Sequence, residues 1–108
     1  KNYFDIFSFY DFNQEMIKEI YESANGVGVI TRQAEYFSEK IKNKFNIHTE
    51  YFILNNRNDI ELILNKIQKS SLRLFVVTGG PIAKFLAIKI QELGKICIDI
   101  GRNIENWS

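Results

Sequence analysis

Two places in this sequence carry residue types and spacings that could do chemistry. Thr78-Gly79-Gly80-Pro81 follows directly on the apolar run of residues 72–77, and Asp99-Ile100-Gly101 follows directly on Ile96-Cys97-Ile98. Two adjacent glycines permit a tight turn and a close approach of a ligand to the backbone. Pro81 suits the first position of a helix, where its missing N–H costs nothing. The N–H groups left free at the start of that helix favour an anion such as phosphate. Asp99 at a strand end is placed to orient a hydroxyl or to act as a base. It can equally cap its own turn. A third candidate is Thr31-Arg32, at the end of the short apolar run 27–30. The guanidinium fork of Arg32 matches phosphate or carboxylate, although an ordinary surface arginine satisfies the sequence as well.

Other reactive residue types are poorly accompanied. His48 is the single histidine and Cys97 the single cysteine. A zinc-type site or a serine-type triad therefore lacks partners, and an internal disulfide is excluded. Cys97 sits in a predicted buried strand and reads as a small core residue. Asp59-Ile60-Glu61 has the Asp-x-Glu form that can hold a metal. It falls in a predicted first helical turn, where acidic residues favour the positive end of the dipole, so no metal ligand is assigned in this chain. Gly26-Val27-Gly28 precedes and enters a strand, whereas a dinucleotide fingerprint would follow one.

The elements that must position these residues alternate regularly. Asn13 is expected to cap a helix from Gln14 carrying Ile17, Ile20, Tyr21 and Ala24 inward, ended by Asn25-Gly26. Residues 27–30 form the first strand. A helix to about Phe45 buries Ala34, Phe37 and Ile41, and residues 48–54 form the second strand. Asn58 with Glu61 is capping-box-like and opens a helix with Ile60, Ile63, Leu64 and Ile67 inward. Residues 72–77 form the third strand. The helix from Pro81 should bury Ile82, Phe85, Leu86 and Ile90 and stop at Gly94. Residues 96–98 form the fourth strand. This alternation predicts a Rossmann-like three-layer α/β sandwich around a four-stranded parallel sheet, with strand order 2-1-3-4 and right-handed crossovers. Ligands of such sheets sit beyond the carboxyl ends of the strands at the switch point. That gathers Thr31, Arg32 and residues 78–81 around one crevice, with Asp99 one strand further along. Before these elements, residues 3–12 hold six aromatics and read as an extended arm or short strand. It packs over the domain's own core or against another domain or subunit.

Composition bounds the function. With 108 residues, of which 45% are apolar, the chain makes one domain. A net charge of +1 argues against a protein held to nucleic acid by charge. Lys40, Lys42 and Lys44 read as a solvated helix face. No apolar run approaches a membrane span and no signal peptide is visible, which gives a cytoplasmic expectation.

The segment Val77-Thr78-Gly79-Gly80-Pro81-Ile82-Ala83-Lys84-Phe85-Leu86-Ala87, followed by Leu93-Gly94 and Ile98-Asp99-Ile100-Gly101, resembles the carboxyl-terminal half of bacterial GT-D-type glycosyltransferases. In that family a Gly-Pro turn opens a helix with a Leu-Ala step, and the next strand ends Ile-Asp-Ile-Gly. The helix–strand–helix of residues 13–45 also looks like the preceding segment of the family. Where the family continues with a histidine and acidic residues, this chain has Arg102-Asn103-Ile104-Glu105. The resemblance implies transfer of a sugar from a nucleotide-sugar donor to a glycan acceptor. It also implies a divalent metal, manganese or magnesium, held by an Asp-x-Glu motif in an amino-terminal half outside these residues.

On that resemblance the chain is expected to be the carboxyl-terminal portion of a larger protein, partnered by its amino-terminal half. Asp99 would be the catalytic carboxylate. Thr31, Arg32, Thr78, Gly79, Gly80, Pro81 and Gly101 would bind substrate. The competing expectation is a non-catalytic module that binds a nucleotide or phosphosugar at residues 78–80, or assembles through the aromatic arm.

Overall fold

The computed structural model of the chain describes Tyr3–Asp5 and residues 13–108. Its elements in order are β1 (Tyr3–Asp5), α1 (Gln14–Ser23), β2 (Val27–Thr31), α2 (Ala34–Phe45) and β3 (Thr49–Ile53). A 3₁₀ turn (Arg57–Asp59) then leads into α3 (Ile60–Lys69), β4 (Leu74–Val77), α4 (Pro81–Glu92), β5 (Ile96–Asp99) and a last 3₁₀ turn (Gly101–Glu105). The strands form one sheet, β1-β5-β4-β2-β3, with every neighbouring pair parallel. The four strands foreseen from the sequence stand in the foreseen order. Tyr3–Asp5 adds a fifth at the edge beside β5. The rest of the aromatic arm, residues 6–12, lies outside the described residues.

Period-two alternation divides the strands between two cores. Val29, Val76 and Ile98 meet Ile17 and Tyr21 of α1 and Phe37, Ile41 and Phe45 of α2. Ile30, Phe75, Val77 and Cys97 meet Ile63 and Ile67 of α3 and Leu86 and Ile90 of α4. Helices α1 and α2 thus cover one face while the chain moves from β1 through β2 to β3. Helices α3 and α4 cover the other while it returns through β4 to β5. Face and direction reverse together, so all four crossovers share one hand.

Gly28 is required in β2 because a Cβ there would overlap the Phe75 ring of the neighbouring strand. The last residues close the first core. Trp107 is buried at 1% exposure, and its carbonyl accepts a 2.6 Å hydrogen bond from the buried Tyr21 hydroxyl. The Tyr21 ring meets Phe45 and Trp107 edge-on.

Three local expectations are corrected. Helix α4 buries Ala83, Leu86, Ala87 and Ile90, while Phe85 is 48% exposed. The two alanines let the helix lie close to the sheet, which turns its inward arc away from Phe85. The aromatic ring instead lies beside Lys89, whose Nζ is 5.5 Å from its centre. The capping box before α3 is Asn56 with Asp59 rather than Asn58 with Glu61, because the 3₁₀ turn starts the helical segment earlier. The third strand begins at Leu74 rather than Leu72, whose N–H turns to the Ser70 hydroxyl. Elsewhere the ends agree closely: the Asn13 side chain accepts from the Met16 N–H at 2.9 Å and caps α1. No described helix is long and apolar enough to cross a membrane.

Candidate functional site at the switch point

Strand β2 sends the chain to one face of the sheet and β4 sends it to the other. The loops that leave them cannot fill the space between, and a cleft results. Its volume is about 260 Å³, and it is lined by Thr31, Arg32, Leu54, Asn55, Thr78, Gly79 and Ile82. Thr31 ends β2, Leu54 and Asn55 follow β3, Thr78 and Gly79 follow β4, and Ile82 belongs to the first turn of α4. One part of the wall is aliphatic, from Leu54 and Ile82. The rest offers two hydroxyls, an amide and a guanidinium.

The floor is held by backbone bonds between the strand ends. Thr78 N–H donates to the Ile30 carbonyl, and Leu54 N–H to the Thr31 carbonyl. The glycine turn then sets the start of α4. Gly80 has φ 67° and ψ −141°, a conformation that side-chain-bearing residues rarely adopt. At Gly79 a Cβ would come within 3.3 Å of Leu54 Cδ2 and crowd the cleft. Pro81 occupies the first turn of α4, as its fixed φ favours.

The residues singled out from the sequence divide into two groups. Thr31, Arg32, Thr78 and Gly79 line the cleft together. Gly80 and Pro81 shape the turn behind it without lining it. Asp99 and Gly101 lie toward β5, on the other side of Thr78. They are joined to the cleft wall through the Thr78 hydroxyl, which donates to the Gly101 carbonyl at 2.6 Å. Asp99 is only 3% exposed. Its Oδ1 accepts the Gly101 N–H at 3.1 Å, and Lys84 Nζ lies 4.0 Å from Oδ2. That is the geometry of a carboxylate holding its own turn beside a lysine. In the parallel ladder Asp5 of β1 pairs with Asp99, a neighbour that reading the arm as aromatic passed over.

Leu54 and Asn55 were not foreseen. The signal was present, since strand order 2-1-3-4 puts the end of the second strand beside that of the first. Reading the polar turn after it only as a helix start hid the connection.

The described residues do not fit a divalent metal. No three of their His, Cys, Asp and Glu side chains come together as a set that could hold one. Asp59, the first carboxylate of the Asp-x-Glu sequence, accepts the Asn55 and Asn56 N–H groups at 2.8 and 3.1 Å. It is committed to capping. His48 stands at the opposite end of the sheet, exposed, with Nε2 3.2 Å from Glu50. Cys97 is fully buried, and burial, reinforced by Asp99, pushes its thiol well above the usual range, as suits a packing residue rather than a nucleophile.

A family model described as a GT-D fold-like domain matches residues 8–107. No curated protein and no solved structure matches the chain.

Proposed function

The chain belongs to the GT-D fold-like domain family, and from that premise we propose that it is the carboxyl-terminal portion of a glycosyltransferase. The enzyme would move a sugar from a nucleotide-sugar donor to a glycan acceptor, in bacterial surface polysaccharide or glycoprotein synthesis. The observation that carries this reading is the cleft at the switch point, with Arg32, Thr31 and Asn55 facing Leu54 and Ile82 beside a glycine turn. A nucleotide-sugar needs such a mixed wall: apolar surface for flat rings, and donors for phosphate and hydroxyl oxygens.

The chemistry assigned to these residues is binding and orientation. Arg32 and the glycine turn hold the anionic part of the donor, while Asn55 and Thr78 hydrogen-bond its hydroxyls. Asp99 supports the turn through Gly101 and keeps Thr78 in place. The manganese or magnesium that the family resemblance implies would be held by residues of the upstream half.

The experiment is a sugar-transfer assay with uridine diphosphate sugars, on these residues alone and joined to an upstream Asp-x-Glu-bearing region. Turnover is expected only in the joined protein, with kcat/KM at least tenfold lower in Arg32→Ala. Turnover by the chain alone contradicts the assignment of the metal-binding half to another region. No turnover by either protein contradicts the transferase reading.

A second reading, a non-catalytic module binding a nucleotide or phosphosugar, is favoured by one observation. The best-placed carboxylate, Asp99, is buried outside the cleft. Donor binding without transfer in the joined protein would select it.

A further inference from the structure

The sheet has two lateral edges without a neighbouring strand among the described residues, β1 on one side and β3 on the other. An open edge is a row of unpaired N–H and carbonyl groups. Folds ordinarily blunt it with a very short strand, lysine, proline or a bulge. β1 is short, with three residues. β3 has five, Thr-Glu-Tyr-Phe-Ile, with no lysine or proline. Its ladder with β2 runs from Val27 and Thr49 to Thr31 and Ile53 without a bulge. Its one charged side chain, Glu50, is engaged within its own chain. The Ser70 hydroxyl donates to Oε1 at 2.9 Å, and His48 Nε2 lies 3.2 Å from Oε2.

The ladder fixes which groups of β3 are open. The His48 carbonyl accepts from the Val27 N–H, and the Leu54 N–H donates to the Thr31 carbonyl. Between them the backbone of Glu50 and Phe52 bonds to β2, and that of Thr49, Tyr51 and Ile53 turns outward. Phe52 and Leu54 belong to the core under α3 and α4, so the side chains of these three residues point to the α2 face. Helix α2 reaches the strand at Thr49, where the Ser38 hydroxyl donates to Oγ1 at 2.8 Å. Tyr51 and Ile53 are left uncovered, each 46% exposed. Backbone and apolar side chains are thus open at the same residues.

The sequence of this edge is complementary to itself. Let two copies meet antiparallel about a twofold axis at Tyr51. Tyr51 then faces Tyr51, and Thr49 of each copy faces Ile53 of the other. Every outward N–H and carbonyl of the strand gains a partner, and aromatic and β-branched side chains pair across the joint. On the other face Glu50 stands opposite Phe52. A register centred on Glu50 would instead set two carboxylates against each other, which is destabilising. One centred on Phe52 would carry Thr49 past the end of the opposing strand.

We propose that β3 is a pairing edge for a second copy of this chain. The two copies join β3 to β3 antiparallel, with Tyr51 on the twofold axis, into one continuous sheet with both α2 helices on the same side. This pairing stands independently of the transferase reading.

The test is sedimentation velocity of the chain up to millimolar concentration, together with disulfide trapping of cysteine variants. The chain should pass from monomer to dimer as its concentration rises, and stop there. Tyr51→Lys sets two ammonium groups against each other at the axis and should weaken the dimer at least tenfold. Its amide spectrum in dilute solution should match the parent's away from residue 51. Hydrogen-bonded antiparallel pairs hold their Cα atoms about 5.5 Å apart, within reach of a disulfide. Tyr51→Cys should therefore give a linked dimer on oxidation, and the native Cys97 is buried and takes no part. Ile53→Cys should not link, because its two copies stand about 13 Å apart along the strands. A chain monomeric at millimolar concentration overturns the proposal and leaves the edge to a strand of another region or another protein. So does a dimer that Tyr51→Lys leaves at full affinity, growth beyond two copies, or trapping at residue 53 in preference to 51.

Discussion

Tyr21 shows how one side chain joins distant parts of this chain. Its ring packs against Phe45 and Trp107, and its hydroxyl ends on the Trp107 carbonyl. Tyr21→Phe should cost about 1–2 kcal/mol, the penalty for leaving a buried carbonyl unpaired, measurable by urea unfolding. Burial also raises the Tyr21 phenol above its ordinary value of 10.0 and the Cys97 thiol above 9.0. A raised folded-state value means stability that is whole below the ordinary value and lost as the pH climbs above it. The melting temperature should therefore begin to fall near pH 9, and Cys97→Ala should flatten the first part of that decline. A melting temperature constant to about pH 11 would contradict the burial of both groups. Gly28 carries the opposite constraint, absence of a side chain. Gly28→Ala should destabilise by about 1–3 kcal/mol through collision with Phe75.

Among the elements, the glycine turn before α4 is the one on which the cleft depends. Gly80→Ala forces a side chain into φ 67°, ψ −141° and should cost about 1–3 kcal/mol. Gly80 does not line the cleft, and a Cβ there meets nothing within 4 Å, so the loss would come from the backbone alone. A melting temperature equal to the parent's would show that the turn is not held in this conformation. These elements were largely legible in the sequence. Gly-Gly-Pro after a β-branched run declares a strand, a turn and a helix start, and Asn13 declares a cap. The inward arc of α4 was less legible. Hydrophobicity alone weights Phe85 above Ala83 and Ala87, whereas close packing on a sheet favours the small residues. The cap of α3 was missed by two residues because a 3₁₀ turn has no hydrophobic period to announce it.

For the molecule as a whole, the order of the strands decides which residues can share a ligand. The alternation of helix and strand implied a parallel sheet but not its order; the order it takes, with β2 beside β4, brings Thr31 and Arg32 to Thr78 and Gly79. The side of the sheet end on which Asp99 stands did not follow. It depends on the Thr78–Gly101 hydrogen bond and on the approach of Lys84, contacts without a signature in spacing. Asn55 likewise enters the cleft from the far side of β2, through strand order alone.

On the function proposed, the cleft between the ends of β2 and β4 receives a nucleotide-sugar donor. The most direct measurement is amide NMR of the chain during titration with a uridine diphosphate sugar, with and without manganese. Shifts gathered at residues 31–33, 54–55 and 78–83, saturating with a single affinity, are the predicted result. No shifts at millimolar donor, or shifts gathered at the opposite end of the sheet around His48, Glu50 and Lys95, would contradict it.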